Sequence, residues 1–181
     1  MILAAATDEF SAHGLAGARV ERIARQAGVN KQLLFYYFGS KVGLHRAVVD
    51  GLIEHAKAKG EDAPTNAGPA DTRLRQAILG LLQTLDGQPH LVRLCTQLAD
   101  PRGGRPFQQA LTFLAEPVRR AVLAGQRIGL FRDDADPDYV ADLAVSAVVG
   151  HLAASSGPDV AKPPAAWGDA LADLLIRGLA W

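Results

Sequence analysis

The chain has almost no sulfur: of its 181 residues one is cysteine, Cys95, and one is methionine. A lone cysteine excludes a disulfide within the chain and suits a reducing compartment. Aromatics are also few, at six Phe, three Tyr and two Trp. No stretch approaches the ~18 uncharged apolar residues that a membrane-crossing helix needs. The opening "MILAAATDEF" lacks a basic region and carries Asp8 and Glu9 early, so it reads as no signal peptide. Net charge is zero and selects no partner. These absences lead to an expected cytoplasmic location.

Catalytic signatures are missing as well. No nucleophile elbow, phosphate loop or metal-ligand pair stands out, so an enzyme is not expected. His90 and Cys95 are five apart, which does not place them on one helical face, and His45, His55 and His151 are scattered. Asp133, Asp134, Asp136 and Asp138 form an acidic run without EF-hand spacing or a distal Glu, and fit a helix cap in a solvated loop. Cys95 reads as packing rather than a redox sensor. No metal and no cofactor are expected.

What the chain does have is helical period. Nearly half its residues, 49%, are apolar, enough for a sizeable core. Ile2, Leu3, Ala6 and Phe10 share a helical face, with Gly14 as a stop. A second helix is predicted over 19–26, a third over 31–37 after Gly28 and an Asn30 cap, and a fourth after Ser40. Residues 59–71, "KGEDAPTNAGPAD", read as a connection between subdomains. Beyond it, helices are marked by Leu74–Leu85, by Leu91–Leu98, by Phe107–Val122, by the run after Asp136 and Pro137, and by Trp167–Leu179. No hairpin signal and no repeat appears. The fold class is therefore all-α.

Charge is unevenly distributed. Between Arg19 and Arg46 six basic residues face one acid, Glu21, whereas from Gly60 to Trp181 there are 11 basic and 14 acidic residues. A basic head on an acidic body implies different partners for the two. Within the head, "GVNKQLLFYYFGSK" (28–41) gathers Phe35, Tyr36, Tyr37 and Phe38 between Lys31 and Lys41. Two short helices joined by a glycine turn form a helix-turn-helix pattern. On the second, Leu34 and Phe38 share an inner face toward Ile23 and Ala27. Gln32, Leu33, Tyr36 and Tyr37 make an outer face too apolar for idle solvent exposure and too polar for core. Double-stranded DNA accounts for it. Lys31, Gln32 and Leu33, at the helix N-terminus, can reach guanine, adenine and a thymine methyl. Tyr36 and Tyr37 can donate to phosphate, and Lys41 opens the next helix, whose free amides also attract it. Phe35 reads as core, and Arg22 and Arg25 as a solvated face.

The stretch 14–49, through "IARQAGV", "FYYF" and "GSK" in order and spacing, resembles the DNA-binding head of the tetracycline-repressor (TetR) family. That resemblance covers about a quarter of the chain. It implies that Arg19 starts the helix whose N-terminus grips phosphate, that Lys31, Gln32 and Leu33 read bases, and that Tyr36, Tyr37 and Lys41 hold phosphate. It also implies a helix-turn-helix domain over 1–50 and a helical effector-binding and dimerisation domain over 51–181. Three departures stand out: Phe35 where tyrosine is frequent, Ala18 where threonine is common, and no short basic arm before the first helix.

The expected function is a sequence-specific transcriptional regulator, a ligand-responsive repressor acting as a homodimer through its last two helices. The helix after Pro137 supports the pairing, because its apolar residues wrap too far round for one amphipathic face. Leu94, Leu98, Phe107, Phe113 and Leu114 are the candidate walls of an effector pocket. The body shows no buried charge, which favours a small uncharged or lipophilic effector. The alternative is a DNA-binding regulator or adaptor with no effector; a packed body would favour it, and a cavity of several hundred Å3 would oppose it.

Overall fold

The structure, a computed structural model, describes residues 1–60, 68–97, 104–155 and 166–181. Among the described residues it is all-α, as expected. The helices are α1 (Ile2–Gly17), α2 (Val20–Ala27), α3 (Lys31–Phe38), α4 (Lys41–Gly60), α5 (Ala70–Asp86), α6 (Pro89–Thr96), α7 (Gly104–Arg127), α8 (Pro137–Ala154) and α9 (Trp167–Leu179). Gly14 interrupts α1 with φ 65° and ψ 176°, at the predicted stop. The α2 to α4 boundaries agree with the sequence to within a residue at each start. Residues 61–67, 98–103 and 156–165 lie outside the described residues, and with them most of the connection expected at 59–71 and Leu98.

The chain divides into two compact units, Met1–Lys57 with Gln88–Ala110, and Ala58–Gly87 with Leu111–Trp181. The first is built around Phe10, Ile23, Leu34, Leu44, Val49 and Leu91, all with essentially no exposed surface. Burying each such side chain contributes about 1.5–3 kcal/mol before chain entropy is counted. By sequence the head ends near residue 50 and α6 belongs to the body. In the structure α6 packs on α1. Its apolar stripe, Leu91, Val92, Leu94 and Cys95, is buried. Polar contacts fix the seam: Gln97 Nε2 donates to the Ser11 carbonyl at 2.8 Å, and His90 Nδ1 lies 3.1 Å from Ser11 Oγ. Burial leaves Cys95 a thiol, its pKa pushed up to about 12, which agrees with a packing role.

In the second unit α5 packs on both α8 and α9. Leu74, Ile78, Leu85, Val118, Val122 and Phe131 fill its interior. Arg75 pairs with Asp169 at 3.1 Å and with Asp173, tying α5 to α9. Trp167 stacks on His151, with ring centroids 3.7 Å apart, and joins α8 to α9. Asp136 caps α8 as expected, its Oδ1 accepting from the Asp138 amide at 2.9 Å, and Pro137 occupies the first turn. The wrap-around apolar set of α8 splits in two: Val140, Ala144, Val145, Val148 and Val149 are buried, whereas Leu143 is 46% exposed.

Candidate nucleic-acid interface

The turn between α2 and α3 is set by two residues. Gly28 takes the left-handed conformation (φ 68°, ψ 29°) that a side chain disfavours. There the Gly28 and Val29 amides close on the Arg25 and Ala24 carbonyls at 3.2 and 3.0 Å, ending α2. Asn30 then caps α3, its Oδ1 accepting from the Leu33 amide at 2.7 Å. The cap fixes the N-terminus of α3, the end that presents Lys31, Gln32 and Leu33.

α3 is only eight residues long and is held by one face. Leu34 is buried and Phe38 half-buried, as the spacing predicts. Lys31, Gln32, Leu33, Tyr36 and Tyr37 all lie on the exposed side, with Tyr36 81% and Tyr37 65% exposed. The two phenol rings meet edge to face at 5.3 Å, so each restrains the other. Phe35 is a correction. It is not core but 39% exposed, with the Lys31 ammonium 5.5 Å from its ring centroid. Leu34 and Phe38 already occupy the inner side. Phe35, one turn after Lys31, falls where the ring can sit under that cation.

Lys31 is also paired across the turn, its Nζ 2.5 Å from Glu21 Oε1 on α2. The hydrogen bond from Lys31 holds the Glu21 carboxyl below its usual range. Both partners are largely exposed, so the pair is an easily exchanged one.

Arg22 differs from its expected solvated state. Its Nε and Nη2 donate to Glu9 Oε1 at 2.8 and 2.6 Å, a forked grip on a carboxylate that is only 7% exposed. Glu9 Oε1 also accepts from the Arg19 amide at 2.7 Å, at the start of α2. Burial alone would raise the Glu9 carboxyl. The hydrogen bonds from Arg22 and the Arg19 amide, with the Arg22 charge, outweigh that and hold it below normal. Glu9 thus supplies a hydrogen-bond acceptor at the start of α2, where Ala18 has no hydroxyl to offer one. Sequence reasoning missed it. The only signal was an acid three and four residues after the apolar Ala6 and Ala5, on the buried stripe of α1. Arg19 itself occupies the N-cap position of α2, its side chain exposed and making no cap hydrogen bond, and Arg25 is exposed as expected.

The α3–α4 corner completes the surface. Ser40 Oγ accepts from the Gly43 amide at 3.0 Å, and Lys41 Nζ donates to the Ala16 carbonyl at 3.1 Å. That contact leaves Lys41 two further N–H donors. Behind the corner, His45 is buried edge-on against Phe10 at 4.9 Å. Burial, then the Lys41 charge, lower its pKa from the usual 6.5.

The seven expected DNA-contact residues therefore belong to one unit. Five are on the outer side of α3, and Arg19 and Lys41 stand at the starts of α2 and α4. The surface offers cations, phenol donors and a base-sized amide. It holds no cluster of metal-ligating side chains, nor is there one elsewhere among the described residues. No described helix is long and apolar enough to cross a membrane.

The expected pocket residues are dispersed. Leu94 is buried in the first unit, and Phe113 (half-buried) and Leu114 (buried) belong to the second. Leu98 and the Phe107 side chain lie outside the described residues. A hollow of about 240 Å3 in the second unit is lined by Arg73, Arg120, Ala121, Leu123, Ala124 and Arg127, none of the five.

An all-helical chain with a capped helix-turn-helix of this shape defines a class of helix-turn-helix regulators. Residues 2–48 match the family of bacterial regulatory proteins described as tetR family. The chain is 49% identical over 49 residues to the HTH-type transcriptional repressor SCO4008 of Streptomyces coelicolor, a match covering 27% of this chain and 26% of that protein. It is 31% identical over 140 residues to the HTH-type transcriptional repressor NicS of Pseudomonas putida, covering 74% of this chain and 65% of that one. The chain thus spans about a quarter of the first relative and just under two thirds of the second. A bacterial regulatory protein in the tetR family from Rhodococcus RHA1 shares the fold, with a TM-score of 0.78 at 16% identity over 99% of this chain and 95% of that one. The chain belongs to the TetR family of bacterial regulatory proteins.

Proposed function

We propose that the chain is a sequence-specific DNA-binding transcriptional repressor that acts as a homodimer and responds to a small effector. One observation carries the DNA-binding part. The outer side of α3 exposes Tyr36 and Tyr37 beside Gln32, Leu33 and Lys31, while Leu34 anchors the helix from below. Adjacent exposed phenols have no folding use; as donors to phosphate they position a helix whose N-terminal side chains read bases. Arg19 and Lys41 add cations on either side. Repression is the activity named for the relatives SCO4008 and NicS, and it is proposed here by that kinship.

Two such heads must meet half-sites about one turn of DNA apart, roughly 34–36 Å. An effector that binds better to chains whose heads are spaced otherwise shifts the population away from DNA. The reading without an effector stays open to test, since a body that binds no small molecule would leave only DNA recognition.

The test is selection of bound DNA from a random pool, followed by titrations of the selected site. Tyr37→Phe and Lys41→Ala are expected to weaken binding to all sequences alike, and Lys41→Ala also to flatten the salt dependence by about one unit of slope. Gln32→Ala is expected to relax preference at particular base pairs, at about 1–3 kcal/mol of lost discrimination. Folded variants that bind every pool sequence as the parent does would sink the proposal.

A further inference from the structure

The hollow in the second unit has a strongly basic lining. Arg120 and Arg127, seven residues apart, lie on one side of α7, with Ala121, Leu123 and Ala124 between them. Arg73 joins them from the first turn of α5. No acidic side chain lines the hollow. Arg120 and Arg127 are exposed, so solvent screens the mutual repulsion of the three guanidinium groups, and an anion seated among them would be attracted by all three.

Each arginine keeps donors available. Arg73 commits its Nε to the Gly68 carbonyl at 2.9 Å, which fixes the stem and leaves the terminal nitrogens. Arg120 gives its Nε to Glu116 at 2.6 Å and likewise keeps its far end. That carboxylate is shared with Arg119, and the two hydrogen bonds hold it down to about 2, so it stays ionised and its charge is already matched. Arg127 has no hydrogen-bond or ion-pair partner among the described residues. A cation in the first turn of a helix also opposes the helix dipole, so Arg73 is not placed there for the stability of α5.

Size and floor narrow the occupant. At about 240 Å3 the hollow is below the range that holds drug-sized ligands. Its Ala and Leu floor suits a short hydrocarbon body, and guanidinium forks suit a carboxylate or phosphate head. We propose that this hollow binds a short-chain organic anion and is the effector site of the protein. An uncharged effector follows from the sequence only because Arg73 lies far from Arg120 and Arg127 along the chain; they meet only in the fold. The binding claim stands by itself, whereas the effector role rests on the DNA-binding reading above.

Calorimetric titration of the full chain with hexanoate, hexyl phosphate and hexanol separates the possibilities. One anion or both should bind, the tighter one identifying the head group, and hexanol should not. Arg127→Ala and Arg73→Ala should each weaken anion binding about tenfold or more, with unchanged helical content and unfolding midpoint. Gln32→Ala, in the DNA-binding head, should bind the anion as the parent does. No heat from either anion up to ~10 mM, equal binding of hexanol, or parental affinity in both folded arginine variants overturns the site. Anion binding that leaves operator affinity unchanged keeps the site and overturns its effector role. A chain that binds anion but no DNA at all fails the DNA-binding reading instead.

Discussion

At the residue scale, two groups in the head have consequences that can be measured. Lys31 can reach a base edge only by leaving Glu21, because its ammonium is held 2.5 Å from that carboxylate. Glu21 therefore competes with DNA for the same charge. Glu21→Gln removes the competitor and one local negative charge, and should tighten operator binding by about two- to fivefold, as for an exposed pair. Fluorescence anisotropy at fixed salt would show it, and unchanged or weaker binding would mean that the pair orients Lys31 rather than restraining it. His45 acts on stability. Burial lowers its pKa in the folded head, so the unfolded chain binds the proton first as pH falls. Stability is then full above about 6.5 and declines below it toward the lowered folded value, by at most about 1.4 kcal/mol per pH unit. Urea unfolding at pH 7.5, 6.5 and 5.5 should show this loss, and His45→Gln should flatten it. Glu9 has its window lower, below the normal carboxylate value of 4.5, because its folded pKa is also depressed.

At the scale of elements, the α3–α4 corner depends on one missing methyl. A Cβ on Gly43 would stand 2.0 Å from the Phe38 carbonyl oxygen, and backbone cannot yield as a side-chain tip can. Gly43→Ala should cost about 1–3 kcal/mol of head stability, even though alanine is the better helix former. Gly51, in the same helix with nothing within 4 Å of its would-be Cβ, is the control. Gly51→Ala should be neutral or stabilise by up to about 1 kcal/mol. A Gly43→Ala midpoint equal to that of Gly51→Ala would refute the close approach. These elements also show what could be read from sequence. The turn and caps of α2 to α4 were legible because Gly28, Asn30 and Ser40 act on neighbours within a few residues. The inner face of α3 was legible by period. Phe35 was not, because its fate depends on how much of the inner side two other residues already fill. Arg22 was not, because its partner Glu9 is on another helix, and the packing of α6 on α1 was not, because the two helices are far apart in the chain.

At the scale of the whole molecule, the question is what covers α8 and α9. On α8 Val140, Ala144, Val145, Val148 and Val149 are buried in the second unit and on α9 Ala172 and Leu179, yet Tyr139 (69%), Leu143 (46%) and Leu174 (68%) are exposed. On α8, Tyr139, Leu143, Ser146 and Gly150 follow at helical spacing and are all exposed. The stripe is bulky at one end and small at the other, a shape that lets a second helix approach closely. A second copy of this chain is the natural occupant if paired half-sites are to be read, since twofold DNA symmetry asks for twofold protein symmetry. Leu143→Glu with Leu174→Glu would place four carboxylates in that interface, two from each chain. The parent should sediment as a dimer at micromolar concentration, and the double variant as a monomer with its helical content intact. If two linked heads share the operator, the variant should also lose operator affinity by far more than any single contact in α3 contributes. A double variant that still sediments as a dimer moves the interface elsewhere, and a parent that sediments as a monomer removes it. In the first case α8 and α9 need another covering partner; in the second, each α3 must recognise its site without the help of a linked second head.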